Sequence, residues 1–265
     1  MAVGFYRPHT PYVAPSTIFD MYPQSMIHPV LEKPGDRDDI PMAAWHDRPH
    51  QRELTVPKRK EIIQAYFASI TLMDEQVGRV IDSVDRLQLA NNTVIVFISD
   101  HGYHLGAHGL WQKSDLFEGS CHVPMVIVPP DSQSSAVSKS IVGLIDLYPT
   151  LAELTGVVPP PHIKGKSLVP ILKDPTASVN KTALSVTVSR ARQMHKTFTK
   201  KKVMGYSIRS QRYRYTQWGG GEHGHELYDY DTDPDEYTNL ADKPEHKATL
   251  EKMQALLEDA LDQAR

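Results

Sequence analysis

Residues 93–124 read TVIVFISDHGYHLGAHGLWQKSDLFEGSCHVP, and the apolar, β-branched run 93–98 at their start predicts a buried strand. Asp100 and His101 follow the strand. Open α/β sheets bind ligands at the carboxyl ends of their strands, so we expect a metal site here. Asp100 offers the hard oxygen that calcium or magnesium prefers, and Gly102 permits the turn that brings His101 to the same ion. The alternative is that Asp100 caps the next turn and His101 is hydrogen-bonded in the loop.

The loop after this pair carries two further histidines and one lysine. His104 and His108 are four residues apart, but the surrounding glycines argue against the helix that a zinc-binding pair would need. We therefore expect loop histidines rather than a zinc site, with His108 as a structural hydrogen-bonding residue. Lys113 can neutralise an oxygen of a bound sulfate or phosphate. Its alternative is an ordinary exposed lysine.

Cys121 is the only cysteine, which excludes an internal disulfide and a cysteine-based zinc cluster. It lies where the chain enters the apolar run 123–128, and small buried cysteines are ordinary at such places, so a structural role is predicted. The sequence has no Gly-x-Ser-x-Gly elbow, Walker loop or dinucleotide fingerprint. The α/β-hydrolase, NTPase and Rossmann interpretations therefore lack their motifs.

The composition indicates a folded chain with a sizeable core. With 265 residues and 40% hydrophobic content, it predicts one large α/β domain or one domain with a small appendage. The net charge of −3 gives no basic field, so no nucleic-acid partner is expected, and the basic run 196–202 is predicted to be a solvated loop. No apolar stretch of about 18 residues predicts a membrane span, and no signal-peptide pattern follows Met1. Residues 1–6 read like the end of a core strand, which predicts that preceding sequence is missing.

Hydrophobic periodicity predicts the order of elements along the chain. The pattern is that of an α/β fold with a sheet flanked by helices, followed by a small antiparallel sheet and a terminal helix. We place a domain boundary after residue 175, giving domains 1–175 and 176–265. Helices are predicted over 58–88 and 244–264, and a helical turn over 165–172. Residues 141–156 are predicted to be a strand end or turn that enters a helix, with Gly156 as its carboxyl cap. Strands are predicted over 93–98, 123–128, 184–189, 203–208 and 213–218.

Residues 6–57 are rich in proline and are predicted to form an ordered loop on the scaffold or a partly mobile lid. His9 lies between Pro8 and Thr10-Pro11, which restrict the backbone and would aim the imidazole. The alternative is a surface histidine in a turn. The run WHDR at 45–48 either contacts sugar or packs, and the sequence leaves both open.

Taken together, ordered segments along the chain carry a family resemblance. SDHGYHLGAHGLWQK, HVPMVIVPP, IDLYPTLAELTG, GKSLVPIL and ELYDYDTDPDEYTNLAD resemble successive landmarks of the type I sulfatases, in the alkaline phosphatase superfamily. GFYRPHTPY, QAYFASITLMDEQVGRVIDSVDRLQLANNT and MGYSIRSQRYRYTQW resemble the iduronate-2-sulfatase group and its bacterial members. The resemblance runs nearly end to end and implies an alkaline-phosphatase-like sheet that is incomplete here.

The resemblance also implies a mechanism and a set of site residues. Type I sulfatases use a hydrated formylglycine, made from the first residue of a Cys/Ser-x-Pro/Ala-x-Arg motif, to attack sulfur, while a calcium ion polarises the sulfate. Asp100 and His101 resemble the second pair of calcium ligands, and Lys113 resembles the sulfate-contacting lysine. His9 resembles the histidine that binds the sulfate ester and protonates the leaving oxygen.

The sequence departs from the family at the nucleophile. Around Cys121, the proline position holds Val123 and the arginine position holds Met125. The amino-terminal Asp-Asp calcium ligands and the first lysine-histidine pair are absent too. We therefore expect the carboxyl-terminal part of an iduronate-2-sulfatase-like enzyme, inactive alone, with formylglycine in the missing part.

The resemblance predicts hydrolysis of sulfate esters on glycosaminoglycans or other sulfated polysaccharides. The alternatives are a phosphomonoester or phosphonate hydrolase of the same superfamily, or a non-catalytic sulfatase-like binding protein. Sulfated glycans lie outside the cytoplasm, so the family implies a lysosomal location in an animal and a periplasmic or secreted one in a bacterium.

Overall fold

The amino-terminal segment is largely irregular, as its proline content predicts. A computed structural model describes residues 1–46, 48–130, 132, 135–191 and 198–264. In the first part of the chain, helix α1 (Ser16–Phe19) and helix α2 (Pro49–Arg52) are single turns within the loop. The loop lies on the following helix, where the Tyr22 hydroxyl and Thr71 Oγ1 are 2.6 Å apart. Among the described residues, no helix is long and apolar enough to span a membrane.

The long predicted helix is present as α3 (Val56–Arg86), with 31 residues. Thr55 caps its amino terminus by accepting a hydrogen bond from the Lys58 amide, and Pro57 occupies the first turn, where a missing N–H costs nothing. Ile63 and Ala68 are buried beneath the loop. The predicted helix is therefore present, but its predicted apolar stripe is not buried: Val80 and Val84 are only half-buried and Leu87 is 61% exposed.

The candidate ligands lie in a segment, residues 93–128, that forms two short sheets. Strand β1 (Ile95–Ile98) is followed by the paired strands β2 (His104–Leu105) and β3 (Trp111–Gln112), then by helix α4 (Glu118–Cys121) and strand β4 (Met125–Val128). β1 and β4 are antiparallel, with Ile98 opposite Met125. The carboxyl end of β1 thus lies beside the point where the returning chain enters β4.

The prediction that β1 is buried is wrong. Phe97 and Ile98 on β1 are 37% and 40% exposed, and Val126 and Val128 on β4 are 50% and 39% exposed. The sheet that contains β1 has only β4 as its second strand among the described residues. The apolar run was correctly identified, but the described part of the chain does not cover the surface of this sheet. By the strand register, Phe97, Val126 and Val128 lie on one face of this sheet, which we call the open sheet face, and Ile98 lies on the opposite face.

The remaining helices of the first part follow the sequence prediction. Helix α5 (Leu147–Thr155) ends at Gly156, which has a φ of +71° and closes the helix in the left-handed conformation. Helix α6 (Val169–Lys173) is the predicted helical turn. The buried carboxylate of Asp146 joins the segment before α5 to the segment before α6, because it accepts hydrogen bonds from the amides of Gly143 and Lys166.

The carboxyl-terminal third is an antiparallel meander covered by a helix, as predicted. Met253 and Leu257, buried on the terminal helix, contact the sheet through Ile208, Tyr215 and Leu227. A second core joins Trp218 of the meander to the loop around Trp45 and to Phe117. The domain boundary after residue 175 stays a prediction, and residues 196 and 197 of the basic run lie outside the described residues. The elements are β5 (Ala183–Val188), β6 (Met204–Arg209), β7 (Tyr213–Trp218), β8 (His225–Asp229) and α7 (Lys247–Ala264), with the strands in the order β5-β6-β7-β8.

Candidate active site

Asp100 and His101 lie together just beyond the end of β1. The Asp100 side chain is 87% exposed and the His101 side chain 37% exposed, and His101 Nε2 is 3.7 Å from Asp100 Oδ2. His101 Nδ1 is 2.8 Å from the Gly102 carbonyl oxygen. Because a carbonyl oxygen only accepts, Nδ1 carries a proton, and in the neutral ring the lone pair is on Nε2, beside the carboxylate. The turn thus presents one carboxylate and one imidazole nitrogen side by side.

The turn that carries this pair is held by a close crossing of two backbones. The Gly102 amide donates to the Ser120 carbonyl oxygen at 2.8 Å. A Cβ on Gly102 would lie 2.1 Å from the carbonyl oxygen of Gly119, so any larger residue would force the crossing apart. The sequence-based reason for Gly102 was the turn alone, and the structure adds this contact with α4.

The donor set fits part of a calcium site. A carboxylate oxygen is a hard ligand, and an imidazole with its second nitrogen bonded to a carbonyl is oriented for binding. Within the described residues, no group of three or more His, Cys, Asp or Glu side chains is arranged to hold a metal ion. Calcium takes about six to eight ligands, so Asp100 and His101 would supply a minority of them.

Lys113 follows β3 and lies between two residues of unusual backbone conformation. Its neighbours Gln112 and Ser114 have φ angles of +84° and +87°, in the left-handed region that residues other than glycine rarely adopt. The Lys113 side chain is partly exposed. Such strain persists only where the surrounding contacts determine the conformation, and it occurs often at functional sites.

Two buried histidine-carboxylate pairs fix the loop between β1 and α4. His104 Nε2 is 3.0 Å from Asp115 Oδ1, and both side chains are 2% exposed. Burial raises the pKa of Asp115, but the charge of His104 and hydrogen bonds from His104 and Ser120 outweigh burial and hold that pKa below its usual value. His108 Nδ1 is 3.2 Å from Asp36 Oδ1. The predicted structural role of His108 is confirmed, since this bond ties the amino-terminal loop to the site.

His9 is exposed at the other end of that loop. Its Nδ1 is 2.8 Å from the Thr10 carbonyl oxygen, so Nδ1 carries a proton and Nε2 faces away from this bond. The ring lies 5.2 Å from the ring of Tyr6. This histidine sits in a turn, as the alternative interpretation held, and its ring is nevertheless oriented by a backbone bond.

Three tyrosines join the His9 segment to the Asp100 segment, and the sequence analysis did not identify them. The hydroxyls of Tyr12 and Tyr103 are hydrogen-bonded to each other. The Tyr66 ring, on α3, stacks on Tyr103 with centroids 4.8 Å apart and meets the Tyr12 ring edge-on at 5.8 Å. Burial raises the pKa of each of the three hydroxyls, so all three stay neutral at physiological pH. We call these residues the tyrosine cluster. For two of them a sequence signal was available, because Tyr12 lies three residues after His9 and Tyr103 two residues after His101.

Other candidates from the sequence are structural. Burial raises the pKa of the Cys121 thiol, which packs against the core, and this favours the structural interpretation. Trp45 and His46 are both 6% exposed, which favours packing over sugar contact. Asp47 lies outside the described residues.

Comparison with known proteins places these residues in a family context. Residues 2–157 match the family described as Sulfatase, and residues 106–263 match the family described as N-sulphoglucosamine sulphohydrolase, C-terminal. A sulfatase of Formosa agariphila is 31% identical over 97% of this chain and 49% of its own length. The iduronate 2-sulfatase of Homo sapiens is 33% identical over 88% of this chain and 56% of its own length. The chain thus spans about half the length of these relatives.

A solved structure shows the same fold. It superposes with a TM-score of 0.70 and 26% identity over 79% of this chain and 42% of that protein, which was determined in complex with its substrate D-glucosamine-2-N,6-O-disulfate. The predicted sulfatase-like α/β architecture, with its small antiparallel sheet and carboxyl-terminal helix, is confirmed.

Proposed function

This chain belongs to the sulfatase family, and from that premise we propose that it contributes part of the catalytic centre of a sulfuric ester hydrolase. The observation that carries the proposal is the side-by-side placement of Asp100 and His101 at the strand end, with the His101 Nδ1 proton bonded to Gly102. A lone imidazole of this orientation next to a carboxylate suits cation binding better than it suits a purely structural turn.

The residues divide the chemistry among them. Asp100 and His101 would hold calcium, which when bound supplies positive charge that polarises the sulfate. Lys113 stabilises negative charge on a sulfate oxygen. In its imidazolium form, His9 gives the Nε2 proton to the leaving oxygen and is left neutral, with its remaining proton on Nδ1 bonded to the Thr10 carbonyl oxygen.

The nucleophile is proposed to come from outside this sequence. A sulfatase of this kind needs a formylglycine, and no Cys/Ser-x-Pro/Ala-x-Arg run is present, because Val123 and Met125 stand at the proline and arginine positions after Cys121. The raised pKa of the Cys121 thiol argues further against its use as a nucleophile. We therefore propose that this chain alone does not turn over sulfate esters.

The proposed substrate class is a sulfated saccharide, from a glycosaminoglycan or another sulfated polysaccharide. Support comes from the similar structure that contains D-glucosamine-2-N,6-O-disulfate and from the similarity to the human iduronate 2-sulfatase. Such substrates lie outside the cytoplasm, so we propose an extracytoplasmic location, in a lysosome or in a periplasmic or secreted form.

The test joins this chain to the part of the Formosa agariphila sulfatase that the match does not cover, produced with a formylglycine-generating enzyme. The readout is hydrolysis of 4-methylumbelliferyl sulfate by the purified one-to-one complex, with formylglycine verified by mass spectrometry. We expect turnover only with both parts present. Lys113→Ala should lower kcat/KM by about 10²- to 10³-fold, as loss of one oxyanion donor does, and the exposed Lys139→Ala should leave it unchanged.

Two results would contradict the proposal. Hydrolysis of a phosphonate or phosphate monoester without sulfate ester hydrolysis would identify the alternative hydrolase of the same superfamily. A correctly assembled complex that turns over none of these esters would identify a non-catalytic protein.

A further inference from the structure

The backbone on both sides of Lys113 is in a conformation that the local sequence does not favour. Gln112 and Ser114 have φ angles of +84° and +87°, and neither is glycine, asparagine or aspartate, the residues that tolerate this region best. Lys113 itself is not among the residues with a positive φ, so the unusual conformation lies on either side of the lysine. Contacts elsewhere in the fold must therefore hold this turn.

One set of contacts comes from the carboxyl-terminal sheet. Thr187 Oγ1, on the edge strand β5, donates to the Ser114 carbonyl oxygen at 3.0 Å. Arg190 Nη2 donates to Ser114 Oγ at 3.3 Å. The carbonyl oxygen and the hydroxyl of Ser114 are thus both bonded to residues more than 70 positions away in the sequence.

A second anchor lies immediately after the turn. Asp115 accepts hydrogen bonds from Ser120 Oγ at 2.9 Å and from the Phe117 amide at 3.1 Å, besides its pair with His104. His104 is also the strand partner of Gln112. The His104–Asp115 pair therefore fixes the segment before Lys113, through Gln112, and after it, through Asp115. Thr187 and Arg190 contact Ser114, which lies between Lys113 and Asp115.

The Lys113 ammonium group forms none of these hydrogen bonds. Among the described residues, no carboxylate lies within ion-pair distance of Lys113, whereas its backbone neighbours are held at several atoms. A cation on a fixed backbone, without a counter-ion in the described part of the chain, is available for an external anion and has less conformational freedom to lose on binding.

We propose that Thr187 and Arg190 are positioning residues for Lys113, so that the carboxyl-terminal sheet sets the direction in which the lysine meets a sulfate group. The proposal rests on the proposed function, which assigns Lys113 to the sulfate. The edge strand β5 would then contribute to the site, although Thr187 is 73 positions from Ser114 in the sequence.

The test measures the turn directly in this chain. Hydrogen exchange of peptides spanning residues 110–117 is compared for the unaltered protein, Thr187→Val and Thr187→Ser. Loss of one hydrogen bond predicts about tenfold faster exchange in this segment for Thr187→Val, with little change elsewhere. Thr187→Ser keeps the hydroxyl and should restore slow exchange. Thr182→Val, just before the same strand, is the matched control and should behave like the unaltered protein.

Arg190→Gln provides an independent variant, because this partly exposed side chain is less needed for folding than a buried one. It should also speed exchange in residues 110–117. Unchanged exchange in both Thr187→Val and Arg190→Gln would overturn the proposal, as would an increase spread equally over the whole chain.

A second readout separates this inference from the proposed function. Reductive ¹³C-methylation gives Lys113 an NMR signal, assigned by its loss in Lys113→Arg, and inorganic sulfate is the titrant. We expect sulfate to shift this signal and Thr187→Val to weaken the shift, with Thr187→Ser restoring it. If exchange changes as expected but sulfate never moves the signal, the sulfate role of Lys113 fails while the contact with β5 stands. If sulfate moves the signal equally in all variants, the positioning role fails.

Discussion

Replacing Tyr12 by phenylalanine removes a single hydroxyl at the place where the His9 segment meets the Asp100 segment. The Tyr12 hydroxyl is bonded to that of Tyr103, and both rings are in contact with Tyr66. The substitution keeps the ring and its edge-on contact, so the packing of the tyrosine cluster should be retained. What is lost is one bond between segments 91 positions apart.

The size of the effect follows from the surroundings of that bond. A net hydrogen bond contributes about 0.5–1.5 kcal/mol, and this one is only part-buried, so water can reach the hydroxyl that remains. We expect Tyr12→Phe and Tyr103→Phe each to lower the free energy of unfolding by about 1 kcal/mol. Because they remove the same bond, the double variant should cost little more than either alone, with a coupling of about 0.5–1 kcal/mol.

Urea unfolding of the four proteins measures this cycle. With a slope of about 3 kcal/mol per M, a loss of 1 kcal/mol moves the midpoint by about 0.3 M. Tyr22→Phe is the matched control, because its hydroxyl also ties the amino-terminal loop to α3, through Thr71 at 2.6 Å, but has no bond to Tyr103. Strict additivity of Tyr12→Phe and Tyr103→Phe, or equal coupling between Tyr22→Phe and Tyr103→Phe, would refute the reasoning.

Three further predictions concern pH, calcium and the core. Burial raises the pKa of Glu226 to about 7, above its value in the unfolded chain, so its contribution to stability is fully present below about pH 4.5 and is lost as pH rises towards 7. Unfolding at pH 5 and pH 8 should show Glu226→Gln lacking this decline, on the order of 3 kcal/mol, and an unchanged decline would contradict it. Calorimetry should show calcium binding to this chain with a Kd of about 1 mM or weaker, abolished by Asp100→Ala, and tight stoichiometric binding would show that other ligands were missed. Leu257→Ala, at a side chain 1% exposed, should cost about 2–5 kcal/mol in urea unfolding, whereas the exposed Val186→Ala should cost less than about 0.5 kcal/mol.

The sequence predicts the parts of this fold that depend on local pattern. Apolar residues at three- and four-residue steps identify α3, and Gly156 marks the end of α5 through its left-handed conformation. The turn after β1 also follows locally, because Gly102 comes directly after the two candidate ligands. Its crossing with the backbone of Gly119 and Ser120 does not follow locally, and the sequence did not predict it.

Contacts between distant segments could not be predicted in the same way. The bond between Asp36 and His108 joins residues 72 positions apart, and nothing in the run GDRDD distinguishes Asp36 from its acidic neighbours. The predicted burial of β1 is wrong for a related reason. Periodicity shows which side chains are apolar, but burial depends on what covers them, and the described residues do not cover this surface.

The open sheet face should affect the abundance and solubility of this polypeptide in a cell. Phe97, Val126 and Val128 are 37–50% exposed on one face of a sheet whose strands each pair on one side only within the described part of the chain. Unpaired strand edges beside apolar side chains are what chaperones and proteases recognise, and what drives self-association as concentration rises. The abundance of this polypeptide should therefore depend on whether a companion segment covers that face, and a charged residue at Val126 should make the isolated chain more soluble.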